Sequence, residues 1–274
     1  MTKDFRIKQT QFLLPKILLT SFAGLVANCK IVWLKNFVIR KFIKTYNVNM
    51  AEACYSDASK YESFNDFFTR KLLPEARPMA QADFICPVDG VLSESGVIDR
   101  GKLIQAKGRD YTVQSLLATK EENLFSQGYF ATFYLSPKDY HRIHMPIDGT
   151  VTKTVYLPGK LFSVQPATQR SISKLFAQNE RVVIYFDTPK GKMVMVLVGA
   201  LIVGKIATSW HGEFKRKDHK QTLIHDLIHL KQGEEVGYFK LGSTVILLLS
   251  PDSINKSAPL LKANQEVKLF QSLG

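Results

Sequence analysis

From about residue 84 onward, apolar residues recur in short runs separated by turn residues, among them Asp89-Gly90, Asp148-Gly149 and Lys190-Gly191. This spacing predicts strands over 91–98, 102–106, 129–135, 150–157, 181–186, 193–206, 235–239 and 244–249. Within the sixth, 194–203 is an unbroken apolar run whose β-branched residues and Gly199 predict a buried, bent strand rather than a helix. Regular short strands with close turns point to a mainly antiparallel sandwich or barrel-like domain. The first 75 or so residues read differently. Pro15 marks a helix start and Asn28 a break, which predicts helices over 14–27 and 30–46. Ser63, with Asp66 three residues on, caps a third over 63–70, and Pro74 and Pro78 end it. The fold expected is α+β, with a helical region over 1–78 and a β-rich domain over 79–274.

Charge sharpens the picture of the helical region. The chain of 274 residues carries a net charge of +13, and residues 1–50 hold nine Lys/Arg against the single acid Asp4. These bases are interleaved with Phe12, Leu13, Leu14, Leu18, Phe22, Leu25, Trp33, Phe37 and Phe42. Bases mixed with leucine and aromatic side chains suit an anionic membrane surface better than a nucleic-acid backbone. Nucleic acid is therefore not expected as a partner. The uncharged stretch 17–29 is shorter than the roughly 20 residues that a membrane span needs. No small-x-small cleavage site follows Lys3, Arg6 and Lys8, so a signal peptide is not expected. The helices are expected to lie on a membrane, with packing on the protein's own core as the alternative. Cys29, Cys54 and Cys86 have no metal-like spacing and support neither a disulfide framework nor a zinc site. A reducing, cytoplasm-facing location follows.

Candidate chemistry gathers in three places. In Phe239-Lys240-Leu241-Gly242-Ser243-Thr244-Val245-Ile246 a glycine precedes a serine at the head of an apolar run. Glycine leaves the Gly242 carbonyl open to attack by the Ser243 hydroxyl, although a bare Gly-Ser-Thr also suits a loop entering a buried strand. A serine hydroxyl needs a positioned base. The segment Ser136-Pro137-Lys138-Asp139-Tyr140-His141-Arg142-Ile143-His144-Met145-Pro146 offers two histidines on rigid chain. Asp89, between Val88 and Gly90, is a candidate to orient the base and equally a plain turn residue. His225 and His229 have the i, i+4 spacing of one helix face, but no carboxylate or thiol completes a metal set, so no metal is expected. His211 and His219 sit among Lys215, Arg216, Lys217 and Lys220 and read as a solvated loop.

Taken together, these stretches resemble the bacterial phosphatidylserine decarboxylases, over almost the whole length. The resemblance rests on Phe64-Asn65-Asp66-Phe67-Phe68-Thr69-Arg70, Pro87-Val88-Asp89-Gly90-Val91, Gln105-Ala106-Lys107-Gly108 and the double-histidine segment. It continues through Pro158-Gly159-Lys160-Leu161-Phe162-Ser163-Val164, Asn179-Glu180-Arg181-Val182, Leu197-Val198-Gly199-Ala200 and Leu241-Gly242-Ser243-Thr244, with Gln165-Pro166 as a local departure.

The resemblance implies a proenzyme that cuts itself between Gly242 and Ser243, with Asp89, His144 and Ser243 as the charge-relay set. Ser243 would become a pyruvoyl group heading an α chain 243–274 held by a β chain 1–242, with higher oligomers left open. This covalent cofactor would form a Schiff base with phosphatidylserine and release CO2 and phosphatidylethanolamine. Either His141 or His144 would then act as general acid toward the carbanion. The implied location is the cytoplasmic side of the inner cell membrane, held peripherally. A Ser/His/Asp lipid hydrolase is the rival, but Ser243 lacks the Gly-x-Ser-x-Gly elbow.

Overall fold

The computed structural model describes residues 3–106, 109–119, 124–201, 205–240, 243–253 and 263–273. Gly242, Leu241, the pair 107–108 and the segment 202–204, all part of the expectations above, lie outside the described residues. The strands are β1 (Gly90–Val97), β2 (Lys102–Ala106), β3 (Arg109–Thr112), β4 (Tyr129–Leu135), β5 (Arg142–His144), β6 (Gly149–Leu157) and β7 (Arg181–Thr188). They continue with β8 (Gly191–Val198), β9 (Lys205–Thr208), β10 (Gly212–Glu213), β11 (Gln221–Leu230), β12 (Glu235–Lys240), β13 (Ser243–Leu249) and β14 (Gln265–Val267). Among the described residues they form an eight-stranded sheet in the order β11-β6-β7-β8-β13-β4-β1-β14, a four-stranded sheet β10-β9-β12-β5, and the pair β2-β3. The pairings between named strands are antiparallel, so the α+β, mainly antiparallel architecture stands.

The middle of the large sheet is buried on both faces, while its edge strand β11 carries no buried residue. Along β13, Val245, Leu247 and Leu249 enter a core shared with Ile143, Ile206, Val236 and Phe239 of the four-stranded sheet. Ile246 and Leu248 enter a second core with Leu116, Phe162, Leu175 and Phe176. Those residues come from 158–164 and from two short helices, α5 (Val113–Leu117) and α7 (Leu175–Gln178), with α6 (Pro166–Ser171) between them in the chain. Every residue of β13 is buried, with β8 on one side and β4 on the other. Each aliphatic side chain buried this way contributes about 1.5–3 kcal/mol.

Three helices precede the sheets: α1 (Lys3–Leu13), α2 (Lys16–Ala27) and α3 (Val32–Tyr46). The first was not expected; Pro15 stands at the start of α2, as its N-cap, and α1 precedes it. The short α4 (Phe64–Phe68) is capped as expected, the Ser63 hydroxyl accepting from Asp66 N at 3.2 Å. Ile39 of α3 packs with Phe64, Phe67 and Phe68, and Phe42 sets its ring 5.0 Å from that of Phe64. The opposite side carries Leu18, Phe22, Leu25, Ile31, Val32, Trp33 and Phe37, all exposed. The region thus packs on the protein and still leaves an apolar surface uncovered. No single described helix is long and apolar enough to cross a membrane. The pair Leu18–Ala27 and Val32–Tyr46 reaches that length and composition only together, across a 112° bend.

Two further expectations are corrected. The run 193–206 is not one strand: β8 ends at Val198, and β9, from Lys205, belongs to the other sheet. His225 and His229 share a strand, β11, not a helix, and their rings meet Thr154 and Thr150 of β6.

Gly90 fixes one approach that matters for the site. Its φ is +149°, and a Cβ there would lie 2.4 Å from the Tyr134 carbonyl oxygen, so only glycine lets β1 close on the end of β4. Gly90→Ala is expected to cost at least about 2 kcal/mol. Thermal unfolding beside the unaltered chain should show a melting temperature lower by about 4–8 °C.

Candidate active site

The register of the large sheet brings two of the expected residues to one place. Val91 of β1 and Thr244 of β13 both pair with Tyr134 of β4. Asp89 and Ser243, just before those residues, therefore flank the same end of β4. Their strands are two spacings apart, about 10 Å, roughly the span of one imidazole and its hydrogen bonds. The segment leaving β4 supplies both histidines, and the backbone ties it there. His144 N donates to Pro87 O at 2.9 Å and Phe239 N donates to His141 O at 3.1 Å.

Ser243 is wholly buried, and its Oγ has no hydrogen-bond partner among the described residues; Thr244 Oγ1 is in the same state. His141 is also wholly buried. Its Nδ1–H donates to Asp139 O at 2.8 Å, its ring lies 4.1 Å from that of Phe68, and its Nε2 has no partner. Burial drives its pKa from 6.5 down to about 3, so it is neutral at pH 7. His144 donates from Nδ1 to Gly233 O at 2.8 Å and accepts from Tyr140 Oη at Nε2, 3.1 Å away. Burial lowers its pKa as well, against the opposing pull of the Gly233 carbonyl and of the Glu235 and Asp89 charges. Its tautomer thus leaves the Nε2 lone pair as the basic site.

The orienting role expected of Asp89 is filled otherwise in this structure. Its carboxylate accepts from Arg77, Nε to Oδ1 at 2.9 Å and Nη2 to Oδ2 at 2.5 Å, and from Leu269 N at 2.8 Å. The guanidinium fork matches both oxygens of a carboxylate, which an imidazole cannot do. Arg77 is held in turn by Glu52 at 2.7 Å. Asp89 thus makes no hydrogen bond to His144 among the described residues, and the Gly233 carbonyl sets the ring. Neither histidine hydrogen-bonds Ser243 among the described residues. The structure brings the four residues to one end of the sheet without closing the relay.

Arg77, Tyr140, Gly233 and Phe68 belong to this site and were not singled out from the sequence. Tyr140 stood inside the dense histidine segment, which was its only signal. Among the described residues no group of three or more His, Cys, Asp or Glu is arranged to hold a metal ion.

Folding alone gives no reason to bury an imidazole and a serine hydroxyl with unpartnered polar atoms, since each such group costs stability. Arrangements of this kind mark an enzyme. Comparison with known proteins names the kind. The family model for phosphatidylserine decarboxylase matches residues 64–274, and a model described as PSD matches residues 9–47. The phosphatidylserine decarboxylase proenzyme of Legionella pneumophila (strain Lens) is 54% identical over 258 residues, 91% of this chain and 90% of that protein. That of Methylobacillus flagellatus is 52% identical over 254 residues, 90% of each chain. That of Dechloromonas aromatica is 48% identical over 256 residues, 89% of each. The chain belongs to the phosphatidylserine decarboxylase family and is a carboxy-lyase.

Acid should expose the cost of the buried ring. The unfolded chain protonates His141 near pH 6.5 and the folded chain only near 3. The folded state is favoured fully above pH 6.5 and loses that advantage as pH falls from 6.5 toward 3. Thermal unfolding between pH 7 and pH 4 should show a shallower decline for His141→Asn than for the unaltered chain.

Proposed function

We propose that the chain is a proenzyme that cuts itself between Gly242 and Ser243 and then decarboxylates phosphatidylserine to phosphatidylethanolamine at an anionic membrane surface. The observation that carries this is the complete burial of Ser243, unpartnered, at the head of a core strand. A hydroxyl that solvent cannot reach is a poor nucleophile for a lipid ester arriving from outside, but it has a peptide bond beside it. This weighs against the hydrolase reading.

In the cut, His144 Nε2 leaves Tyr140 and takes the Ser243 hydroxyl proton, with the Asp89 charge stabilising the imidazolium. The Ser243 oxygen adds to the Gly242 carbonyl carbon, the C–N bond breaks, and the freed nitrogen takes the proton, leaving an ester. Loss of the Ser243 Cα proton then expels the Gly242 carboxylate from Cβ. Water replaces the nitrogen, which leaves as ammonia, and position 243 ends as a pyruvoyl group. The unpartnered Ser243 Oγ and His141 Nε2 mark a site whose residues fit such a group. Once formed, it supplies the electron sink that decarboxylation requires. His141 and His144, neutral at pH 7, accept and return protons beside it. Chain 243–274 stays bound because β13 is buried between β8 and β4.

The exposed apolar side of α2 and α3, with the bases of residues 1–50, supports docking of region 1–78 on the cytoplasmic face of the inner membrane. Region 79–274 then carries the chemistry.

On a denaturing gel the purified protein should run as a large chain plus the 32-residue chain 243–274. Ser243→Ala should stay whole and inactive, and Asp89→Ala and His144→Ala should be cut at least about 100-fold more slowly. Full cutting of all three would remove the relay. Sedimentation with phosphatidylserine vesicles should carry down the full chain. A form lacking residues 1–50 should stay largely in the supernatant, and equal sedimentation of the two would remove the docking role.

A further inference from the structure

Where α3 ends, at Asn47, a polar cleft of about 130 Å³ opens between residues 47–52, the Arg70 and Arg77 side chains, and the segment 138–140. It is smaller than the roughly 300–1,000 Å³ of pockets that enclose whole drug-sized ligands. It has room for a headgroup and not for an acyl chain. Its lining includes Asp89 and Tyr140, so it adjoins the candidate active site directly.

Arg70 is the feature that needs a reason. Only 4% of it is exposed, yet it closes no ion pair among the described residues. Nη2 donates to Lys138 O at 3.0 Å and more weakly to Asp139 O at 3.5 Å, while Nε and Nη1 have no partner. A buried guanidinium without a counter-ion is costly, and a bound anion offsets that cost. Arg77 cannot serve, because Asp89 and Glu52 occupy it. Lys138 and Lys268 add two more cations at the rim, and Asn47 and Asn49 add amide donors. The carboxylates of Glu52 and Asp89 share the Arg77 guanidinium, and that of Asp139 accepts from Ser136 N and Oγ, so the four cations of the lining (Arg70, Arg77, Lys138 and Lys268) exceed its three carboxylates by one.

We propose that this cleft binds the phosphate ester of the lipid headgroup, with Arg70 as its inner cation and Lys138 and Lys268 at its mouth. The proposal rests on the decarboxylase reading above. The chemistry separates the two anions of the headgroup. The carboxylate must leave as neutral CO2, so a cation gripping it would stabilise the ground state and slow the reaction. The phosphate keeps its charge throughout and can be held by uniform binding at no cost to the chemical step. The position agrees: α3 runs from the exposed Val32 and Trp33, on the membrane-docking side, to Asn47 at the cleft, and Tyr140 bridges the cleft to His144.

The test uses the full, processed enzyme and dihexanoyl phosphatidylserine below its micellar concentration, so that membrane docking does not enter. Arg70→Gln should raise KM about tenfold, equivalent to about 1.4 kcal/mol, with kcat within about twofold. Lys138→Ala with Lys268→Ala should raise KM about threefold with normal self-cutting, and this double variant decides the matter should Arg70→Gln fail to fold. Inorganic phosphate should inhibit the unaltered enzyme competitively, and more weakly in the double variant. Unchanged KM in the double variant, or phosphate inhibition that does not compete with the lipid, would overturn the assignment. Weakened phosphate binding with an unchanged lipid KM would mean that the cleft takes free phosphate, which overturns it as well. Absence of CO2 release by the unaltered enzyme would instead sink the decarboxylase reading, an outcome separate from any change in KM.

Discussion

The burial of β13 is the constraint on which the other features depend. Its side chains alternate between two cores, so the strand cannot leave without opening both. Ser243 is consequently fixed at one end of the large sheet, where β4 and the segment that follows it deliver the histidines. After the proposed cut before Ser243, the hydrogen bonds to β4 and β8 and the apolar contacts of Val245 to Leu249 would still hold the strand in place.

Opposite Ser243 across β4, charge is held as firmly as shape. Asp89 reaches its position because Gly90 tolerates contact with the Tyr134 carbonyl, and Arg77 grips both of its oxygens. His144 is meanwhile set by the Gly233 carbonyl and capped by Tyr140. Its Nε2 lone pair is thus turned to Tyr140, and neither histidine hydrogen-bonds Ser243 among the described residues.

Much of this was legible along the chain, for reasons that vary by element. Strands β4, β6, β7 and β13 stood out because their β-branched and aromatic runs are bounded by turn residues. Strand β11 did not. Its pairing with β6 shifts register between Ile224 and Ile228, and Leu227 adopts φ +65°. The irregularity breaks the two-residue alternation and leaves His225 and His229 four apart, a helical spacing on a strand. The run 193–206 misled for the opposite reason, since an unbroken apolar stretch hides the point at which the chain passes from one sheet to the other. Ser243, His141, His144 and Asp89 were visible as unusual local chemistry. Their partners were not: Arg77 lies 12 residues from Asp89 and Gly233 lies 89 from His144. Nothing local in Ala76-Arg77-Pro78 announces a carboxylate clamp.

The helical region and the catalytic sheets meet at Asn47, where α3 ends beside the cleft that Arg70 lines. The proposed surface docking, headgroup capture and carbon–carbon cleavage would thus use adjoining parts of the chain, the last of them depending on what Ser243 becomes. The intact mass of the chain 243–274 from purified enzyme is the most direct test. A pyruvoyl terminus makes that chain lighter, by the mass of ammonia, than the same residues beginning with serine, and blocks its sequencing from the N-terminus. A chain of serine mass with a free amino group, or no cut at all in an enzyme that still decarboxylates, would contradict the account.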